Sequence, residues 1–120
     1  MSLTALNGTQ EVNDITYNVK MVSGVYLYVK YTKGDESNVT ITFTVNDEKH
    51  PNTETDWFNV SERGANNTVQ SYTVVLTAST SCIIPVSTPE SAYYLKASFA
   101  WNGGTSGDVE VWANNTNKYN

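Results

Sequence analysis

The chain is poor in the residues from which catalytic and metal centres are built: its 120 residues include one cysteine, Cys82, and one histidine, His50. A lone cysteine forms no internal disulfide, and one residue of each kind falls short of a zinc ligand set. His50 lies between Lys49 and Pro51 in a polar turn, and no Gly-x-Ser-x-Gly elbow is present, so no nucleophile has a positioned base. The glycine-rich stretch 102–107 lacks the lysine and the following helix of a phosphate loop. These absences argue against an enzyme and against any cofactor or metal. Positive charge is also scarce: 7 Lys and Arg stand against 12 Asp and Glu, for a net charge of −5. A nucleic-acid binder carries a basic patch, and none is visible. No run approaches the 18 or so apolar residues of a membrane span. Residues 1–8 have neither the charged nor the apolar region of a signal peptide. A single cysteine without a disulfide framework suits a protein made in a reducing cytoplasm.

What is abundant is the composition of exposed strands and turns. The chain holds 16 Thr, 11 Ser and 14 Asn, while the usual helix formers are few. Asn38 to Val45 alternates strictly, with Val39, Ile41, Phe43 and Val45 on one face and Thr40, Thr42 and Thr44 on the other. Such period-2 spacing is that of a strand with one face in a core and one in water. Gly24 to Tyr31 alternates likewise: Val25, Leu27, Val29 and Tyr31 oppose Tyr26, Tyr28 and Lys30. The short polar linker 32–37 between these strands reads as a hairpin loop. Further strands are expected over 15–19, 56–60, 69–77, 92–101 and 108–113, while the apolar stretch 82–86 is ambiguous, since Pro85 limits it to a sheet edge or a strand end. The expected fold is therefore all-β: a single β-sandwich, jelly-roll-like, of seven or eight antiparallel strands. The domain spans 15–114, between an N-terminal arm, 1–14, and a C-terminal tail, 115–120, both flexible.

Few residues stand out as sites. Asp47, Glu48, Glu54 and Asp56 crowd one loop, but their spacing fits no calcium loop and reads as a solvated acidic turn. Five Asn-x-Ser/Thr triplets, at Asn7, Asn38, Asn59, Asn66 and Asn114, are accidents of an Asn- and Thr-rich composition. The aromatics weigh more. Tyr26 and Tyr28 lie opposite the aliphatic face of their strand, and Trp112 lies opposite Val109 and Val111. Such residues are covered by a second layer, anchor a protein interface, or stack on a sugar.

Three segments resemble the small β-sandwich decoration, or cement, proteins of tailed-bacteriophage capsids. They are the strands Gly24–Tyr31 and Asn38–Val45, the aromatic segment Thr55–Val60, and the ending Tyr94–Trp101 with Gly107–Trp112, which looks like a closing hairpin. The lysine and arginine row often found on the penultimate strand of such proteins is reduced here to Lys96. The resemblance implies a non-enzymatic virion protein on the capsid surface, binding the major capsid protein as a homo-oligomer, a trimer for preference. It also implies that Leu3, Leu6 and Val12 of the N-terminal arm contact the capsid. A tail, neck or head-fibre component and a carbohydrate-binding module are the alternatives.

Overall fold

The computed structural model describes residues 4–7, 13–20, 22–47, 52, 56–63, 66, 69–89 and 91–117. Among these residues the regular elements are strands: β1 Thr4–Asn7, β2 Asp14–Asn18, β3 Val22–Thr32, β4 Asn38–Asp47, β5 Phe58–Asn59, β6 Ser61–Arg63, β7 Val69–Ser71, β8 Thr73–Leu76, β9 Thr80–Ser87, β10 Ala92–Asn102 and β11 Asp108–Asn117. They form two packed antiparallel sheets. The first has the order β1-β11-β3-β9. The second has the order β2-β10-β4, with β8 and β5 sharing the far edge of β4. A small ribbon, β6–β7, stands apart from both.

The pairing follows the logic of a long hairpin rolled up. Of the eight principal strands, the first pairs with the last (β1·β11), the second with the seventh (β2·β10), the third with the sixth (β3·β9) and the fourth with the fifth (β4·β8). The contacts β3·β11 and β4·β10 then close each sheet. This is the jelly-roll arrangement. It overturns one expectation. β3 and β4 are not a hairpin, because the linker between them crosses from the first sheet to the second. The same holds for β10 and β11, so the ending is not a closing hairpin either. In both places the chain arches over the end of the sandwich, and each strand pairs with a strand from the other arch.

The alternation carries through into the core. Val25, Leu27, Val29 and Tyr31 of β3 are buried, as are Val39, Ile41 and Phe43 of β4, Leu95, Ala97 and Phe99 of β10, and Val109, Val111 and Ala113 of β11. The strand expected over 69–77 breaks at Tyr72. Its ring stacks on Phe43 (centroids 5.2 Å apart) and its N–H donates to Val60 O, which separates β7 from β8. A register shift between Ala92 and Tyr94 interrupts β10, and the buried Asn46 side chain fills it by accepting the Tyr94 N–H at 3.0 Å. This shift turns Ala92 inward and leaves Tyr93 half-buried.

The proposed arm and tail also need revision. Residues 4–7 form the edge strand β1, and Leu6, expected to reach a capsid, is buried in the core with Val109 as its register partner. At the other end β11 continues to Asn117. Leu3 and Val12, the other two arm residues named above, lie outside the described residues.

Candidate functional site

The outer faces of the two sheets differ in chemistry. The second presents mostly polar cross-strand rows, Asp14–Ser98–Thr42–Thr73 and Thr16–Lys96–Thr44–Asn59, beside the row Ala100–Thr40–Val75, in which Val75 is exposed. The first presents an aromatic and aliphatic strip. Trp112 of β11, Tyr28 of β3 and Ile83 of β9 are register partners and form one row. Asn114, Tyr26 and Pro85 form the next row, and Glu110, Lys30 and Ser81 form the row on the other side. Alternation dictates this. Val29, Val111 and Ile84 point inward, so the neighbouring residue on each strand must point outward.

Tyr28 and Trp112 stack with their ring centroids 5.7 Å apart and their planes 5° apart, so each ring is half-buried against the other. Tyr26 is 45% exposed and Ile83 is 56% exposed. Tyr28, Trp112 and Ile83, with Lys30, Ser81 and Cys82, border an open depression of about 420 Å³. The structure thus brings together the three aromatics singled out in the sequence, Tyr26, Tyr28 and Trp112, on one surface. Ile83 is the member that sequence reasoning missed. The burial of Ile84 and Val86 turns it outward, and the unbroken apolar run 82–86 gave no such sign. Cys82 itself points inward beside the core, and burial pushes its thiol pKa up. A raised pKa is the opposite of what a nucleophilic thiol needs.

The second feature, also missed, is the meeting of the two arches. The loop 33–37 after β3 and the loop 103–107 before β11 lie side by side and are joined through two carboxylates. Asp35 Oδ1 accepts the N–H groups of Thr105 and Ser106, each at 3.0 Å, and the Asp35 N–H donates to Ser106 Oγ at 2.7 Å. Glu36 is fully buried. Its Oε1 accepts the Gly107 N–H at 2.9 Å, and its Oε2 accepts the Gly34 N–H at 2.7 Å and the Tyr31 hydroxyl. The Ser37 N–H donates to Asn102 O at 2.8 Å. Burial works to raise the Glu36 pKa, but the hydrogen bonds from Tyr31, Gly34, its own N–H and Gly107 outweigh it, so the carboxyl sits below its usual range. Asp35 is lowered mainly by the backbone and hydroxyl of Ser106. Tyr31 is raised by burial, and then by its bond to Glu36 and by that group's charge.

Among the described residues no cluster of three His, Cys, Asp or Glu side chains could hold a metal ion. Of the acidic loop noted in the sequence, Glu48 and Glu54 lie outside the described residues, as does His50.

No family model and no curated protein matches the chain. Among solved structures it is similar to the SPBc2 prophage-derived protein YomS, at 13% identity over 92% of each chain and a TM-score of 0.40. A likeness that distant carries no weight for function or partner.

Proposed function

We propose that this chain is a non-enzymatic structural protein of a phage virion, docking on a protein partner through the outer face of its first sheet. The observation that supports docking is the continuous strip Trp112–Tyr28–Ile83, with Tyr26 beside it, on a face whose counterpart across the sandwich is mostly polar and carries no such aromatic row along its paired strands. Large aromatics beside an exposed aliphatic residue have the composition of an interface centre, where Trp and Tyr dominate the binding energy. The jelly roll supplies a rigid support, since each of these side chains stands on a strand paired on both sides or next to one that is. The partner class comes from the sequence resemblance to capsid decoration proteins, which makes the major capsid protein the first candidate and the capsid surface the location.

Co-sedimentation with phage capsids that lack the protein tests this reading. Wild type should pellet with the particles, and Trp112→Ala should lose about 30-fold or more in affinity, the scale of a central anchor worth ~2 kcal/mol. Equal binding by both proteins, or binding by neither, would overturn it. Copy number on native particles separates a decoration protein from a tail, neck or head-fibre component.

A second reading, carbohydrate binding, is favoured by the Tyr28–Trp112 pair together with the polar row of Glu110, Lys30 and Ser81 beside it. Here Ile83→Ser discriminates. It should weaken a protein contact strongly and leave stacking on a sugar largely unchanged.

A further inference from the structure

The joined arches hold a carboxylate, Glu36, that is buried without a cationic partner among its hydrogen bonds. Its charge is held by donors instead: the Gly34 and Gly107 N–H groups from opposite loops, its own N–H and one phenol. Such an arrangement depends on ionisation. A carboxylate accepts at both oxygens, whereas a protonated carboxyl becomes a donor at one of them and loses most of its attraction for N–H groups at both. The groups facing it from each neighbouring element are few. From β3 comes Tyr31, whose ring meets Trp101 edge-on at 6.4 Å. From its own loop come Asp35 and Lys33, the latter with Nζ 3.4 Å from Gly34 O. Loop 103–107 contributes no ionisable side chain, and Asp108 follows it at the exposed start of β11. The space is tight. A Cβ at Gly107 would overlap the Glu36 carboxylate, and one at Gly104 would overlap that of Asp35. Little room is left for water to replace a lost bond.

We propose that the two loops form an acid-released latch: while Glu36 and Asp35 are ionised they pin loop 103–107 to loop 33–37, and protonation of Glu36 frees that loop and the start of β11 with the two sheets still folded. The sheets have their own ladders and core, which contain no other buried acidic side chain among the described residues. Among the buried parts of the described structure, acid therefore acts at the latch and not in the sheets. Both carboxyls sit below their usual range, so the latch stays closed through neutral and mildly acidic pH and opens only on stronger acidification.

Amide hydrogen exchange on the whole chain across a pH series tests this, with rates corrected for the intrinsic pH dependence. The amides of Thr105, Ser106 and Gly107 report the latch, and those of Val29 and Val111 report the core. Acidification should lower protection at the latch about tenfold or more, the scale of one hydrogen bond to a charged acceptor, while the core amides hold. Glu36→Gln should have low protection at the Gly107 amide, the one that donates to Glu36, at every pH and no acid step there. Tyr31→Phe, which removes one donor while keeping the ring, should move the step to higher pH, and it serves as the readout if Glu36→Gln fails to fold. Loss of latch and core protection together would overturn the proposal. So would an acid step at the Gly107 amide that stays in place in Glu36→Gln, or in Tyr31→Phe.

Discussion

At the residue scale, the useful distinction is between side chains whose polar atoms are satisfied and those left bare. Glu36 is buried with both carboxylate oxygens engaged, and Asn46 is buried with its oxygen on Tyr94 N–H. Tyr17 of β2 is different. Its hydroxyl is enclosed with no hydrogen-bond partner, and burial pushes its pKa up to about 12. Removing a polar atom that is desolvated and unpaired costs nothing in lost bonds and removes a penalty of about 1–3 kcal/mol at most. Tyr17→Phe is therefore expected to leave stability unchanged or raise it in chemical denaturation, and a loss of more than about 1 kcal/mol would mean that the hydroxyl has a partner. The candidate docking residues were largely readable at this scale. Tyr26, Tyr28 and Trp112 reveal themselves by falling opposite aliphatic residues on their strands. Ile83 did not, because Cys82 to Val86 is an unbroken apolar run, and only the burial of Ile84 and Val86 decides which way its neighbour points.

At the element scale, the strands were legible and their partners were not. Val39 to Val45 identifies β4 because alternation is a local property. Whether a short polar linker closes a hairpin or spans an arch is a non-local property. Linker 33–37 has the length and composition of a hairpin loop, yet it crosses between sheets because Glu36 turns inward and meets Gly107, 71 positions away. Nothing near Glu36 in the sequence marks it as buried. The β1 strand failed as an expectation for a similar reason. Four residues give too little pattern to read, and only the register with Val111 to Asp108 makes them a strand. The same element contact yields a stability prediction. Gly107→Ala places a methyl against the Glu36 carboxylate and separates the loops. It should lower stability by roughly 1–3 kcal/mol, the range for overpacking a tight site. Thermal unfolding reads this directly, and an unchanged melting temperature would mean that the loops part without cost.

At the scale of the whole molecule, the jelly roll is a scaffold that carries the aromatic row Trp112–Tyr28–Ile83 on one outer face and mostly polar rows on the other. Its ionisable groups limit its stability at both ends of the pH scale. Glu36 and Asp35 have depressed pKa values, so the stability they contribute is present above the unfolded carboxyl range, about 4, and is lost as pH falls through their folded values. Tyr17 and Tyr31 are raised, so their contribution is present below an unfolded value near 10 and is lost as pH rises past it. Melting temperature should therefore fall at both extremes. Glu36→Gln should flatten the acid limb only, and a limb of unchanged steepness would move the acid sensitivity to other carboxyls.

Under the proposed docking, the outer face of the first sheet is the surface covered on binding. Hydroxyl-radical footprinting of the free protein against the particle-bound protein tests it side chain by side chain. Trp112, Tyr28, Tyr26 and Ile83 should lose most of their reactivity on the particle, while Phe58 and Val75, exposed on the strands that flank β4 on the side away from β10, should keep theirs. Unchanged reactivity across the Trp112–Tyr28–Ile83 row, with protection of Phe58 and Val75 instead, would contradict it.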